Sequence, residues 1–260
     1  MQNPIRFRRT IKGNRLKIAF YALVTFIILV AVVYYYISFK KSHIPQTIEG
    51  TWICQDYLDS VRLKKSIALV GEVPMFFQMS FKRGWADSVI CTGLTSTYVL
   101  KLQKTGKGKY NLIRYSDTLG SIRLKRQFTY TQKWSAQKWV YSKVDTGFKR
   151  IDKGETFRMN LNKILIAGVY RPILGKGMFK LVSFSDSGTV KGIRGITNYK
   201  LCYSADCFYD TKPKDAIFLV SNTVVNKYAF NIRKDTLDFY IINPNSSEKF
   251  KLYWQLVKQK

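Results

Sequence analysis

Apolar and polar positions along the chain follow two different rhythms. Residues 18–39, IAFYALVTFIILVAVVYYYISF, run for 22 residues without a formal charge. At about 1.5 Å rise per residue such a helix is about 33 Å long, enough to cross a hydrocarbon layer of about 30 Å, so this stretch predicts a membrane-spanning helix. From Met75 onward the apolar period becomes two, the mark of half-buried strands. Met75, Phe77, Met79 and Phe81 share one face, and Tyr98, Leu100 and Leu102 share another; TGKGK then turns the chain into KYNLIRY as a hairpin would. SIRLKR, QFTYTQ, KWVYSKV, MFKLVSFS, TVKGIRG, NYKLCYS, DAIFLV, KYAFNIR and TLDFYII continue the pattern, and at the end Leu252, Trp254 and Leu256 alternate with Lys251, Tyr253 and Gln255.

Helical spacing reappears only at residues 157–172, where Leu161, Ile164, Leu165 and Gly168 mark either a short helix or a domain junction. GTWICQDYL reads as a first strand, and SVRLKKSIALVGE as a short helix or an irregular crossing. Short strands at this spacing predict an all-β fold, an antiparallel sandwich or barrel, behind a single transmembrane helix. The expected organisation is a basic tail (1–17), the span (18–39), a spacer (40–48) and a β domain (49–260). A junction is possible near 145–165; one domain is favoured over a second small one at 160–260.

The flanks of the apolar run carry Arg6, Arg8, Arg9, Lys12, Arg15 and Lys17 before it and only Lys40 and Lys41 just after it. The positive-inside bias then implies a cytoplasmic N-terminus and a C-terminal domain in the periplasm or extracellular space, held at the inner membrane. A cleaved secretory signal is the competing reading, but its apolar core is shorter and ends at a small-x-small site. Formal net charge is +28; residues 1–41 hold 8 of the 44 Lys and Arg and none of the 16 Asp and Glu, which leaves +20 on the remainder. Such a charge suggests a polyanionic partner. The expected topology sets nucleic acid aside and favours the membrane, a lipid or anionic small molecule, or an envelope protein. Alternatively the lysines solvate outward strand faces and keep exposed edges from pairing.

Candidate chemistry is sparse. The single histidine, His43, stands in the spacer, so Ser-His, Cys-His and histidine-rich metal sites are not expected, and neither a metal nor a cofactor is implied. Asp56 with Asp59, and Asp206 with Asp210, are carboxylate pairs that turns or solvent account for more simply than acid-base work. The sequence therefore favours a protein that is not an enzyme. Cys202 and Cys207 flank a short turn and are the first candidates for a disulfide, with Cys54 and Cys91 as the pair that would follow; all four as reduced core residues is the alternative.

Gly50-Thr51-Trp52 resembles the Gly-x-Trp signature of lipocalins, and FSDSGTVKGIRG with TLDFYIINPNSSEKFKLYWQLVKQK resembles the closing strands of lipocalin-like domains in bacterial envelope proteins. The resemblance implies an up-and-down barrel around an apolar cavity, with Gly50 and Trp52 sealing one end and Lys251 or Lys258 as loose candidates for the basic partner of the tryptophan. The expected function is a membrane-anchored extracytoplasmic module that binds an apolar or anionic small ligand or lipid. The alternative is a structural or assembly protein whose β domain is a docking scaffold.

Overall fold

The computed structural model describes residues 20–34, 48–82, 87–124, 127–144, 154–203, 215–221, 224–242 and 250–259. His43, Asp206, Cys207 and Asp210 lie outside them. The chain divides into two compact units, Met1–Thr47 with Arg83–Ala86, and Ile48–Lys82 with Asp87–Lys260. In the first, the described residues form one helix, α1 (residues 20–34). Among the described residues no helix is long and apolar enough to cross a membrane. The expected 18–39 span is thereby overturned, and with it the inner-membrane topology, the membrane-anchored ligand-binding role and the membrane, lipid and envelope partners inferred from it.

The second unit holds two antiparallel eight-stranded sheets. The first is a closed barrel built from β1 (Gly50–Cys54), β2 (Gln78–Phe81), β3 (Ser88–Thr92), β4 (Thr97–Gly106), β5 (Lys109–Arg114), β6 (Asp117–Leu124), β7 (Phe128–Gln132) and β8 (Lys138–Val144), each strand beside its sequence neighbour and β8 back against β1. Helix α2 (Gln55–Lys64) follows β1, and α3 (Glu155–Leu165) leads into the second sheet. That sheet comprises β9 (Gly168–Leu174), β10 (Met178–Phe184), β11 (Val190–Ile193), β12 (Asn198–Cys202), β13 (Asp215–Val220), β14 (Val225–Arg233), β15 (Thr236–Ile242) and β16 (Phe250–Lys258). Its order is β11-β10-β9-β16-β15-β14-β13-β12, and its outer strands meet at the Thr189–Asn198 bridge. Two more bonds, Val190 N–H to Thr197 O at 2.8 Å and Tyr199 N–H to Gly188 O at 2.7 Å, draw this seam together, which makes the second sheet barrel-like, and it is called the second barrel below.

The expected single lipocalin-like barrel is overturned by this connectivity. A barrel with the lipocalin pattern brings its first and last strands together, but here β1 pairs with β8, and the last strand, β16, pairs with β15 and β9. Lys258 accordingly donates to Ala167 O at 3.0 Å, in the second barrel, while Trp52 donates its indole N–H to Ile48 O at 2.8 Å, in the first. Gly50, the other half of the expected seal, sits opposite Phe81 with φ at 115°, a value that favours glycine.

Alternation decides what fills each barrel. Trp52, Met79, Cys91, Leu100, Leu112, Ile122, Phe128, Tyr130 and Tyr141 follow one face around the first, with the rings of Trp52 and Phe128 5.0 Å apart. Tyr170, Phe184, Leu219, Phe230, Phe239, Trp254 and Leu256 do the same in the second. Small barrels of eight strands fill with inward side chains in this way. Cys54 and Cys91 are buried, free thiols, so they do not form the second expected disulfide; Cys202 is disulfide-bonded. Burial pushes Cys54 up to about 12 and holds Cys91 well above the usual thiol range. Neither is a thiolate near neutral pH. In a native-state labelling experiment with a maleimide at pH 8, both are expected to stay unmodified and to react on unfolding; prompt labelling of the folded protein would contradict their placement.

The two barrels are joined by side chains from both. Phe77 stacks on Phe157 of α3 at 4.6 Å between ring centres, and Tyr57 of α2 and Tyr203 after β12 pack edge-on to Phe77 at 5.1 and 5.6 Å. Polar bonds fix the register. Asp215 of β13 accepts the backbone N–H groups of Ile67 and Ala68, both at 2.8 Å, so the turn after α2 closes over one end of the second barrel. Lys65 donates to Lys234 O in the β14–β15 turn at 3.0 Å, and Gln78 Oε1 accepts the Phe157 N–H at 3.0 Å.

Candidate docking surfaces

A cleft of about 450 Å³ opens beside the seam of the second barrel. Its one wall is α3, which starts after Gly154 (φ 87°) and carries Glu155 in its first turn, where an acidic side chain suits the helix dipole. Helical spacing turns Phe157, Leu161 and Leu165 inward and leaves Arg158 at the rim. The opposite wall is the β10–β11 turn, Asp186 to Gly188, with Tyr199, Lys200 and Leu201 of β12. Asn162 clamps the walls together by donating to Asp186 O at 2.8 Å. Gly188 has φ at 90°, and a Cβ there would lie 2.9 Å from Tyr199 O, so only glycine lets the turn lie against β12.

Arg158 pairs with Glu155 at 3.7 Å, Tyr199 gives its hydroxyl to Ser185 O at 2.6 Å, and Ser185 bonds the hydroxyls of Ser187 and Thr189. Burial raises the Tyr203 hydroxyl above the usual phenol range, with Arg158 pulling the other way. These groups are engaged with one another, and among the described residues that line the cleft no nucleophile stands beside a base. Among the described residues no three metal-ligating side chains gather. The Asp56 and Asp59 pair is also spoken for: Asp56 accepts the Val140 N–H at 2.8 Å, and Asp59 takes bonds from Gln55 and Arg62.

A second surface lies on the outer wall of the same barrel. With Tyr170, Val182 and Phe184 turned inward, the alternate residues Val169, Arg171, Ile173, Phe179 and Leu181 face out. Phe179 is 67% exposed, Ile173 57% and Leu181 53%. Register continues the face onto both neighbours, through Val257 opposite Arg171 and Lys191 opposite Ser183. No Asp or Glu occurs in β9, β10, β11 or β16, and the ion pairs among the described residues do not involve Arg171 or Lys191, so an apolar centre is rimmed by cations. Sequence alternation contains this face, but its polarity is inverted there: an apolar residue on the outward phase looks like ordinary strand hydrophobicity until the inward phase is known.

No family model, no curated protein and no solved structure matches the chain.

Proposed function

We propose that the protein is a non-catalytic docking scaffold, two filled barrels joined as one body that presents the β9–β10 face to a protein with an apolar, acid-rimmed surface. The observation that carries this reading is the exposed Ile173, Phe179 and Leu181 row among Arg171 and Lys191 on strands that lack any carboxylate. Contiguous exposed apolar side chains rimmed by polar ones mark interaction surfaces, and an aromatic anchor at the centre with charge at the edge is how protein interfaces divide affinity from steering. The interiors are occupied by the protein's own rings, which puts recognition chemistry on the outside.

The test is a binding experiment with purified components. A protein recovered with the wild-type chain from its native cell is purified and titrated against wild type and against the double variant Phe179→Asp, Leu181→Asp. Both substituted side chains already face solvent, so the variant is expected to melt within a few degrees of wild type while its affinity falls at least about 100-fold, as loss of a central anchor does. Equal affinity of the two chains would overturn the reading, as would a wild-type chain that binds no protein or only a second copy of itself.

A further inference from the structure

We infer that the outer wall of the first barrel, across β5 to β8, binds the phosphate backbone of duplex nucleic acid. Three outward cations lie there in adjoining rows. Lys109 stands directly opposite Arg123, Arg123 opposite Thr129, and Lys138 opposite Thr131, which is opposite Ser121. Lys109, Arg123 and Lys138 line a shallow hollow of about 330 Å³ together with Thr105, Ser121 and Thr129.

Like charges directly opposite one another destabilise a sheet pair, so the Lys109–Arg123 juxtaposition calls for an anion. The described residues offer none: their ion pairs lie elsewhere, and Asp117 is the one carboxylate in β4 to β8. Edge protection does not explain these cations either, because the barrel is closed and β4 to β8 have no free edge. The membrane topology that set nucleic acid aside no longer stands.

Composition selects the class of anion. Hydroxyl and amide side chains, Ser121, Thr131 and Asn111, alternate with the cations, and these are the groups that bond phosphate and sugar oxygens. A protein partner would call for aromatic or Arg anchors at a desolvated centre, with lysine depleted, and these rows carry no ring. The exposed rings nearby, Tyr115 and Trp134, stand in the β5–β6 and β7–β8 turns and not in these rows, so the wall itself offers no platform for the base stacking on which single-strand binding relies. Backbone contact of this kind is sequence-independent and strongly salt-dependent. The inference goes beyond the docking reading and stands without it, since it concerns the opposite barrel and different side chains.

The experiment uses fluorescence anisotropy on the full chain with a labelled 20-base-pair DNA duplex, an RNA duplex of equal length and the single strands, between 50 and 200 mM salt. Compared are wild type, the wall variant K109E/R123E/K138E, and a charge-matched variant of the second barrel, K180E/K227E/K251E. Wild type is expected to bind at least one duplex more tightly than its single strands. The wall variant should lose at least tenfold in affinity and lower the slope of log K against log salt by about 2.7 for three contacts, with the charge-matched variant within about threefold of wild type. Lysine acylation of wild type should show Lys109 and Lys138 protected by duplex, a readout that does not depend on how the variant folds. No duplex binding at 50 mM salt, equal losses in the two variants, no protection of Lys109 and Lys138, or tighter binding to polyglutamate than to either duplex would each overturn the inference. F179D/L181D binding duplex as wild type does is expected, which separates this result from the protein-docking test.

Discussion

Phe77→Ala is expected to lower the unfolding free energy by about 3–5 kcal/mol, the range for removing a fully buried phenylalanine. Phe77 is completely buried and touches the rings of Tyr57, Phe157 and Tyr203, which come from α2, α3 and the end of β12. Its loss opens a cavity where the two barrels meet, and the three remaining rings belong to different elements, so collapse around the hole requires both barrels to move. Phe77→Leu keeps most of the buried apolar surface and should cost much less. Urea titrations followed by tryptophan fluorescence give the comparison. A loss below about 1 kcal/mol for Phe77→Ala would mean that the ring cluster does not hold the junction.

Asp215 is the second test, and it separates hydrogen bonding from charge. Asp215→Ala leaves the N–H groups of Ile67 and Ala68 buried without acceptors, an expected cost of about 2–4 kcal/mol. Asp215→Asn retains an acceptor oxygen for both and should lie within about 1 kcal/mol of wild type at pH 7. Burial raises the carboxyl above its usual range, and the bonds from Ala68, Ser66 and Ile67 only partly oppose it. A carboxyl with a raised folded pKa contributes stability that is complete below its unfolded pKa and is lost as pH rises through the folded value. Wild type should therefore lose this contribution over that acidic window, and Asp215→Asn should not. The difference in unfolding free energy between the two, followed from pH 3 to 7, is the measurement; a constant difference would contradict the burial.

What could be read from the sequence follows from how local each signal is. Leu100 and Leu102 alternate in sequence and are buried in β4, and Trp254 and Leu256 hold the core phase of β16. Leu252 breaks that phase because the register shifts between Phe239 and Tyr240: Tyr253 is the extra residue of a bulge, which leaves Leu252 37% exposed. Leu161 and Leu165 mark α3 by their spacing, yet Gly168, counted with them, opens β9 instead. A junction near 145–165 and a second domain after it stood only as the less favoured reading, since alternation fixes a strand's faces but not its partners. Asp215 and Asp238 were missed for a similar reason. Asp238 is fully buried between Arg233 and Gln255, and Asp215 finds its donors 147 and 148 residues away, so only the three-dimensional register reveals either.

The apolar run at 18–39 is the opposite case, a strong local signal that misled. Its hydropathy spoke for a membrane, while the helix of the described residues there covers 20–34. The basic charge had been read through that topology. Once placed on closed and carboxylate-poor walls, it becomes surface chemistry to be explained by what the surfaces hold.

The scaffold proposed is two barrels joined as one body, so the central claim is that the unit Ile48–Lys82 with Asp87–Lys260 unfolds as one. Scanning calorimetry of the full chain tests it most directly. The junction of Phe77, Phe157, Tyr203 and Asp215 predicts one transition whose calorimetric and van't Hoff enthalpies agree; two resolved transitions, one for each barrel, would contradict it.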